Sequence, residues 1–195
     1  MAPAWDTALF RLIHHGLRHP ALDPVMKALT DPGRWTIPLF SLAAVIMLTR
    51  RRRGLIALIV LALTVTASDQ LSSKVLKPIF HRPRPSVELA DTRPLFGVRH
   101  SYSLPSSHAT NFFAAAPVVS ALFPSGLGAC YALAAAVSYS RIYVGDHYPS
   151  DVLAGALLGS FVGFLGRKCY RRALRTWGGD ARTVEPDEGG PSGGP

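Results

Sequence analysis

The chain has 195 residues, of which 48% are hydrophobic and 17% charged, against roughly 25% charged in an average soluble domain. Residues 101–140 contain no Asp, Glu, Lys or Arg, a stretch too long for one buried helix and long enough for two membrane spans of ~20 residues joined by a tight turn. The formal net charge of +9 abuts apolar runs without interleaved aromatic residues, which excludes a nucleic-acid partner, and Cys130 and Cys169 lack the local Cys or His partners that a disulfide framework or a zinc site needs.

Residues 1–32 mix Trp5, Leu9, Phe10, Leu12, Ile13 and Leu17 with Arg11, His14, His15, Arg18 and His19. This reads as an amphipathic segment lying in the membrane interface, broken at Pro20 and Pro24. It has neither the short apolar core nor the small-residue cleavage site of a signal peptide. Residues 33–49 form a first span with Trp35 at its border, closed by Arg50, Arg51, Arg52 and Arg53. A second span, residues 54–71, is almost purely Leu, Ile, Val and Ala until Ser68, Asp69 and Gln70.

A polar loop then runs to Leu104, where Pro78, Pro83, Pro85 and Pro94 forbid a continuous helix. Spans three and four cover residues 105–123 and 127–139, with Pro124, Ser125 and Gly126 as the turn between them. After a second polar loop, residues 140–148, a fifth span opens at Pro149, a residue suited to the first helical turn, and ends at Arg167 and Lys168. Residues 177–195 collapse into Gly, Pro, Asp, Glu and Ser and read as a disordered tail. The organisation expected is an interfacial segment over 1–32, a membrane domain over 33–176 and the tail over 177–195.

Five spans place the Arg50 run, the Pro124 turn and the Arg167 cluster on one side and both polar loops on the other. Dense Lys and Arg clusters against span ends favour the cytoplasm, which sets the loops outside. The first loop carries its own cations, among them Lys77 and Arg84, and these have a different use. Lys77, Arg84 and Arg141 reach the same side as Ser106, Ser107, His108, His147 and Asp151. Taken singly, a loop cation binds water or lipid headgroups and a histidine at a span end marks the boundary. Several converging ionisable groups at a membrane border are a functional site.

Three cations without a carboxylate cluster describe an anion site in which Lys and Arg neutralise phosphate oxygens, so that neither metal nor cofactor is called for. Residues 105–108 open the third span, where the first backbone N–H groups lack helical partners and suit an anion. Two histidines permit a division of labour in which one attacks phosphorus and the other protonates the leaving oxygen. Asp151, four residues after His147, can hold one imidazole nitrogen and leave the other free.

These residues resemble the type 2 phosphatidic acid phosphatase superfamily of membrane lipid phosphatases. A Lys followed after six residues by Arg-Pro is met by Lys77 with Arg84 and Pro85; Pro-Ser-Gly-His is met by Pro105, Ser106, Ser107 and His108; and Ser-Arg, five residues, His, three residues, Asp is met by Ser140, Arg141, His147 and Asp151. Arg82 and Pro83 offer a second Arg-Pro at the wrong spacing. The resemblance spans roughly residues 35–170. It implies an all-α polytopic membrane bundle in which His147 becomes a phosphohistidine, Asp151 orients it and His108 is the general acid. It further implies that Lys77, Arg84, Ser106, Ser107 and Arg141 bind the phosphate. Ser107 departs from the usual Gly, so backbone there approaches phosphate past a side chain.

The expectation is a metal-independent, multi-pass inner-membrane lipid phosphatase whose partners are the bilayer and a lipid phosphate, with the site facing outward. Undecaprenyl diphosphate is the first substrate expected, and lipid A 1-phosphate and phosphatidylglycerophosphate are the alternatives. A non-enzymatic lipid-phosphate carrier or flippase is the competing class. It would place ionisable groups near mid-span and would not require two histidines.

Overall fold

The structure is a computed structural model that describes residues 2–177, so the expected tail lies outside the described residues beyond Trp177. All regular structure among the described residues is helical. Helix α1, Ala4–Arg11, passes into a π-helical turn at Leu12–Gly16, and α2 covers Asp23–Thr30. Pro24 starts α2 rather than breaking a helix, as its fixed φ and missing N–H allow in a first turn.

Helix α3, Pro32–Gln70, consists of two helical limbs broken at Arg51, which has φ 43° and ψ −120°. The chain reverses there. Leu39 and Val65, Leu42 and Ala62, and Ile46 and Leu58 line a single cavity of about 340 Å³, whereas in a straight helix Leu39 and Val65 would stand about 39 Å apart at ~1.5 Å per residue. The two expected spans are the limbs of this hairpin. A π-helical segment, Leu71–Leu76, carries the second limb on into α4, Lys77–Phe80, so the expected loop begins as helix. A short α5, Pro85–Glu88, sits inside the remaining loop.

Helices α6, Ser107–Leu122, and α7, Leu127–Tyr143, follow, and α8, Pro149–Trp177, closes the bundle. Helix α7 runs four residues beyond the expected end of span four, which places Ser140 and Arg141 in its last turn rather than in a loop. Among the described residues, two stretches are long and apolar enough to cross a membrane, Pro32–Glu88, which contains both hairpin limbs, and Pro149–Trp177. Helices α6 and α7 have 16 and 17 residues, just below and at the lower limit of the ~17–25 that span a bilayer. Helical limbs stand where the five spans are expected, and among the described residues only Pro32–Glu88 and Pro149–Trp177 meet the length and hydropathy of a span.

The limbs turn apolar side chains outward. Leu153, Leu157, Phe161 and Phe164 on α8 are exposed at spacings of four, four and three, and Leu55, Ile59 and Leu63 repeat the pattern on the hairpin, as lipid-facing helix stripes do. At one end, Ile46, Ala57, Leu122 and Tyr170 pack together, and the Arg50 guanidinium lies 5.2 Å from the centre of the Phe123 ring. The arginine turn and the Pro124 turn therefore share that end. At the other, Phe10 and Ile13 from the N-terminal segment pack on Ile142, Tyr143, Val144 and Tyr148. Trp5, Leu9, Leu12 and Leu17 of the same segment stay exposed.

One close approach positions the site. A Cβ on Gly159 would lie 2.2 Å from the carbonyl oxygen of Thr110, so only glycine lets α8 lie this near α6. With the helices in contact, the Ser106 backbone N–H donates to the Asp151 carbonyl at 3.0 Å, which joins the start of α6 to the start of α8.

Candidate active site

Each signature residue sits at an element end on the face that carries α1 and α2. Arg84 precedes α5, Ser106 caps α6, Arg141 ends α7, His147 follows it and Asp151 opens α8. Arg84, Ser106, Arg141, His147 and Asp151 are all buried.

Arg84 and His147 meet directly. The Arg84 Nη1 lies 3.1 Å from His147 Nε2 and also donates to the Asp146 carbonyl at 3.0 Å. A guanidinium only donates, so Nε2 is the acceptor and carries no proton. The imidazole proton then sits on Nδ1, which faces Asp151 Oδ2 at 3.6 Å. Arg84 is held from behind, its Nε bonded to the Ser101 carbonyl at 2.9 Å and its Nη2 to Ser101 Oγ at 3.0 Å. Burial, followed by the positive charges of Arg84, Arg141 and Lys77, holds the His147 imidazole well below its ordinary pKa. At neutral pH it is an uncharged base.

Asp151 is saturated with donors. Its Oδ2 accepts from Ser103 Oγ and from the Tyr148 N–H at 2.8 Å, and its Oδ1 accepts from Arg82 Nη1 at 2.7 Å. Arg141 is clamped between Thr30 Oγ1 and Asp146 Oδ2, while its Nε and the Ser106 hydroxyl are buried without a hydrogen-bond partner. Such orphaned donors are the fittings of an anion site. Arg99 adds a further cation 3.8 Å from Asp146.

His108 joins the group through α2. Its Nε2 lies 3.2 Å from the Thr30 carbonyl, which only accepts, so that nitrogen bears a proton. His108 and Ser107 also line a cavity of about 330 Å³ with Trp35, Asp69 and Asn111. This cavity shares Leu39, Val65, Asn111 and Phe112 with the apolar cavity inside the α3 hairpin, so the site continues into an apolar groove. Ser107 turns its hydroxyl to Ser72 Oγ at 3.1 Å and Ser73 Oγ at 3.2 Å. Lys77, half-buried at the start of α4, acts on His147 through its field.

The structure therefore brings His147, Asp151, Arg84, Arg141 and Ser106 into one linked cluster, with His108 attached through Thr30. Sequence reading overlooked Asp6, Thr30, Ser101, Ser103, Asp146 and Tyr148, and saw in Arg82 a second Arg-Pro at the wrong spacing. Asp146 carried a usable signal, as the single acid among residues 140–148, which also hold Arg141 and His147.

The profile of the PAP2 superfamily matches residues 53–175. A lipid A 4'-phosphatase of Porphyromonas gingivalis is 32% identical over 181 residues, which are 88% of this chain and 76% of that protein. An undecaprenyl-diphosphatase of Sulfolobus acidocaldarius is 30% identical, over 83% of this chain and 76% of that protein. The crystal structure of LpxE from Aquifex aeolicus aligns with a TM-score of 0.69 at 30% identity, covering 85% of this chain and 96% of that one.

Proposed function

The chain belongs to the PAP2 superfamily of membrane lipid phosphatases, and we propose from that premise that it cleaves its lipid phosphate through a phosphohistidine on His147. The observation that carries this reading is the 3.1 Å contact of Arg84 with His147 Nε2, which aims the Nε2 lone pair at the guanidinium; a phosphate bound by Arg84 takes over that hydrogen bond and meets the lone pair. In the first step Nε2 attacks phosphorus, the N–P bond forms and the P–O bond to the lipid breaks. His108, as an imidazolium opposite the bound phosphate anion, gives one ring proton to the departing oxygen and is left neutral. Arg84, Arg141, Lys77 and the Ser106 hydroxyl take up the charge that develops on the phosphoryl oxygens. In the second step water attacks phosphorus, His108 accepts its proton, and phosphate leaves with Nε2 restored. Asp151 faces the Nδ1–H throughout and stabilises the positive imidazole of the phosphoenzyme.

For the substrate, the reading is undecaprenyl diphosphate at the outer face of the inner membrane. The cavity beside His108 runs on into the groove between the α3 limbs and α6, a path suited to one long apolar chain, with the diphosphate at the cationic end. The exposed apolar residues of the N-terminal segment support its lying in the interface around that entrance. A second reading, a lipid A phosphate, is favoured by the 32% identical relative of that name. Phosphate release from undecaprenyl diphosphate, lipid A and phosphatidylglycerophosphate, at matched detergent mole fractions, tests the choice. A kcat/KM ten times higher on either of the other two overturns the prenyl reading. Full activity in His147→Ala overturns the mechanism.

A further inference from the structure

Arg82 falls outside the Lys-x6-Arg-Pro spacing, yet the structure sets its guanidinium directly on the Asp151 carboxylate. Its Nη1 donates to Asp151 Oδ1 at 2.7 Å and to Ser150 Oγ, and its Nη2 donates to Asp6 Oδ2 at 2.5 Å. Both carboxylates are fully buried. Asp6, on α1, is held in turn by the Ser150 N–H at 2.9 Å and by the Ser150 hydroxyl. The Arg82 guanidinium also lies 4.3 Å from the centre of the Tyr148 ring, and the Tyr148 hydroxyl donates to Glu88 Oε2 at 2.8 Å.

The Asp χ2 torsion is soft, so backbone placement alone does not fix which way the Asp151 carboxylate faces. Ser103 and the Tyr148 N–H hold Oδ2, and Arg82 holds Oδ1. A buried carboxylate also needs a cation beside it to stay ionised. Arg82 supplies that charge, and Asp6 stops it from swinging away. A guanidinium can bridge two carboxylates with separate N–H groups, which the ammonium of Lys does poorly.

We infer that Asp6 and Arg82 are positioning residues for the phosphatase reaction: through Arg82, the N-terminal helix locks the Asp151 carboxylate in the orientation that faces Nδ1 of His147 at 3.6 Å. The inference rests on the reading of His147 as nucleophile. It makes α1 part of the catalytic apparatus as well as a surface element.

The test uses the full-length, detergent-solubilised protein and the best substrate of the lipid panel. Arg82→Gln should lower kcat by about 10–100-fold, the range typical of residues that orient a catalytic group from behind, and slow phosphoenzyme formation equally, with KM and vanadate inhibition within about twofold. Arg82→Lys should recover part of the loss, and Asp6→Asn should show a smaller loss of the same kind. In an Asp151→Asn background, Arg82→Gln should cost nothing further, because its effect runs through that carboxylate. A merely structural role would instead lower the melting temperature and reduce the Asp151→Asn enzyme again. Should Arg82→Gln not fold, Arg82→Lys and Asp6→Asn in the two backgrounds decide the matter. Wild-type kcat in Asp6→Asn and Arg82→Lys, or additive losses with Asp151→Asn, overturn the inference. His147→Ala is run alongside: its inactivity with normal Arg82 variants refutes the positioning role alone, whereas its full activity refutes the phosphohistidine reading.

Discussion

The Thr30 carbonyl lies 3.2 Å from His108 Nε2 while the Thr30 hydroxyl accepts from Arg141 Nη1. One residue at the end of α2 thus holds both the proposed proton donor and a proposed phosphate ligand. The membrane helices supply most of the chemistry, and the segment before them sets the distance between two of its parts.

The pH profile should follow His147. Burial and the neighbouring cations lower its pKa below the ordinary 6.5, so the neutral nucleophile persists as pH falls through that value, and the acid limb of kcat/KM should lie below it. Arg84→Gln removes a positive charge at 3.1 Å. The imidazolium is then opposed by one cation fewer, its pKa rises, and the acid limb should move to higher pH by about one unit. A limb that stays in place would show that another group sets it.

His108→Ala should separate substrates by leaving group. An alkoxide departs poorly unless protonated, and loss of a general acid costs ~10²–10⁴-fold. An aryl phosphate with a good leaving group should lose far less. Rates of phosphate release on both substrates, for wild type and variant, check this; equal losses would remove His108 from the role of acid.

Turnover should survive a strong chelator, since Arg84, Arg141 and Lys77 supply the charge that would otherwise come from a cation. Vanadate, which takes up the trigonal geometry of phosphoryl transfer, should inhibit competitively. Arg141→Gln should weaken that inhibition by at least about tenfold, the loss of one charge-assisted hydrogen bond. A requirement for added Mg²⁺ would count against the cation cluster as the source of charge stabilisation.

Sidedness can be read by labelling. Val98 is 52% exposed in the loop on the site face. In a background with Cys130 and Cys169 replaced, Val98→Cys should react in intact cells with a membrane-impermeant thiol reagent that reaches the periplasm. Reaction only after lysis would put the site on the cytoplasmic side.

The residues proposed to meet phosphate were legible because their types and gaps carry meaning without a fold: Lys77, Arg84, His108, Arg141, His147 and Asp151 all stand out in the sequence. The residues behind them were not. Asp6, Thr30, Ser101 and Ser103 act through contacts that span up to 144 positions, and nothing local marks an Asp or a Ser as the partner of a distant arginine. Arg82 was misjudged for a related reason, since spacing to Lys77 says nothing about Asp6. The helical order was readable from hydropathy, whereas the ends of α4 and α7 were not. Burial of Ile142 and Tyr143 carries α7 on past Arg141, whereas α4 continues past Lys77 with no buried residue.

The hydrogen bonds from Ser150 to Asp6 also set a timetable. These residues are 144 positions apart, so at a synthesis rate of ~5–20 residues per second the ribosome needs roughly 7–30 s to make the partner of α1 after α1 itself. Until then the first helix has only loop residues such as Arg82 and Asp91 to pair with, and the proposed nucleophile at position 147 has not been made. A chain inserting limb by limb therefore stays silent toward the lipids around it, and competence arrives with the last helix.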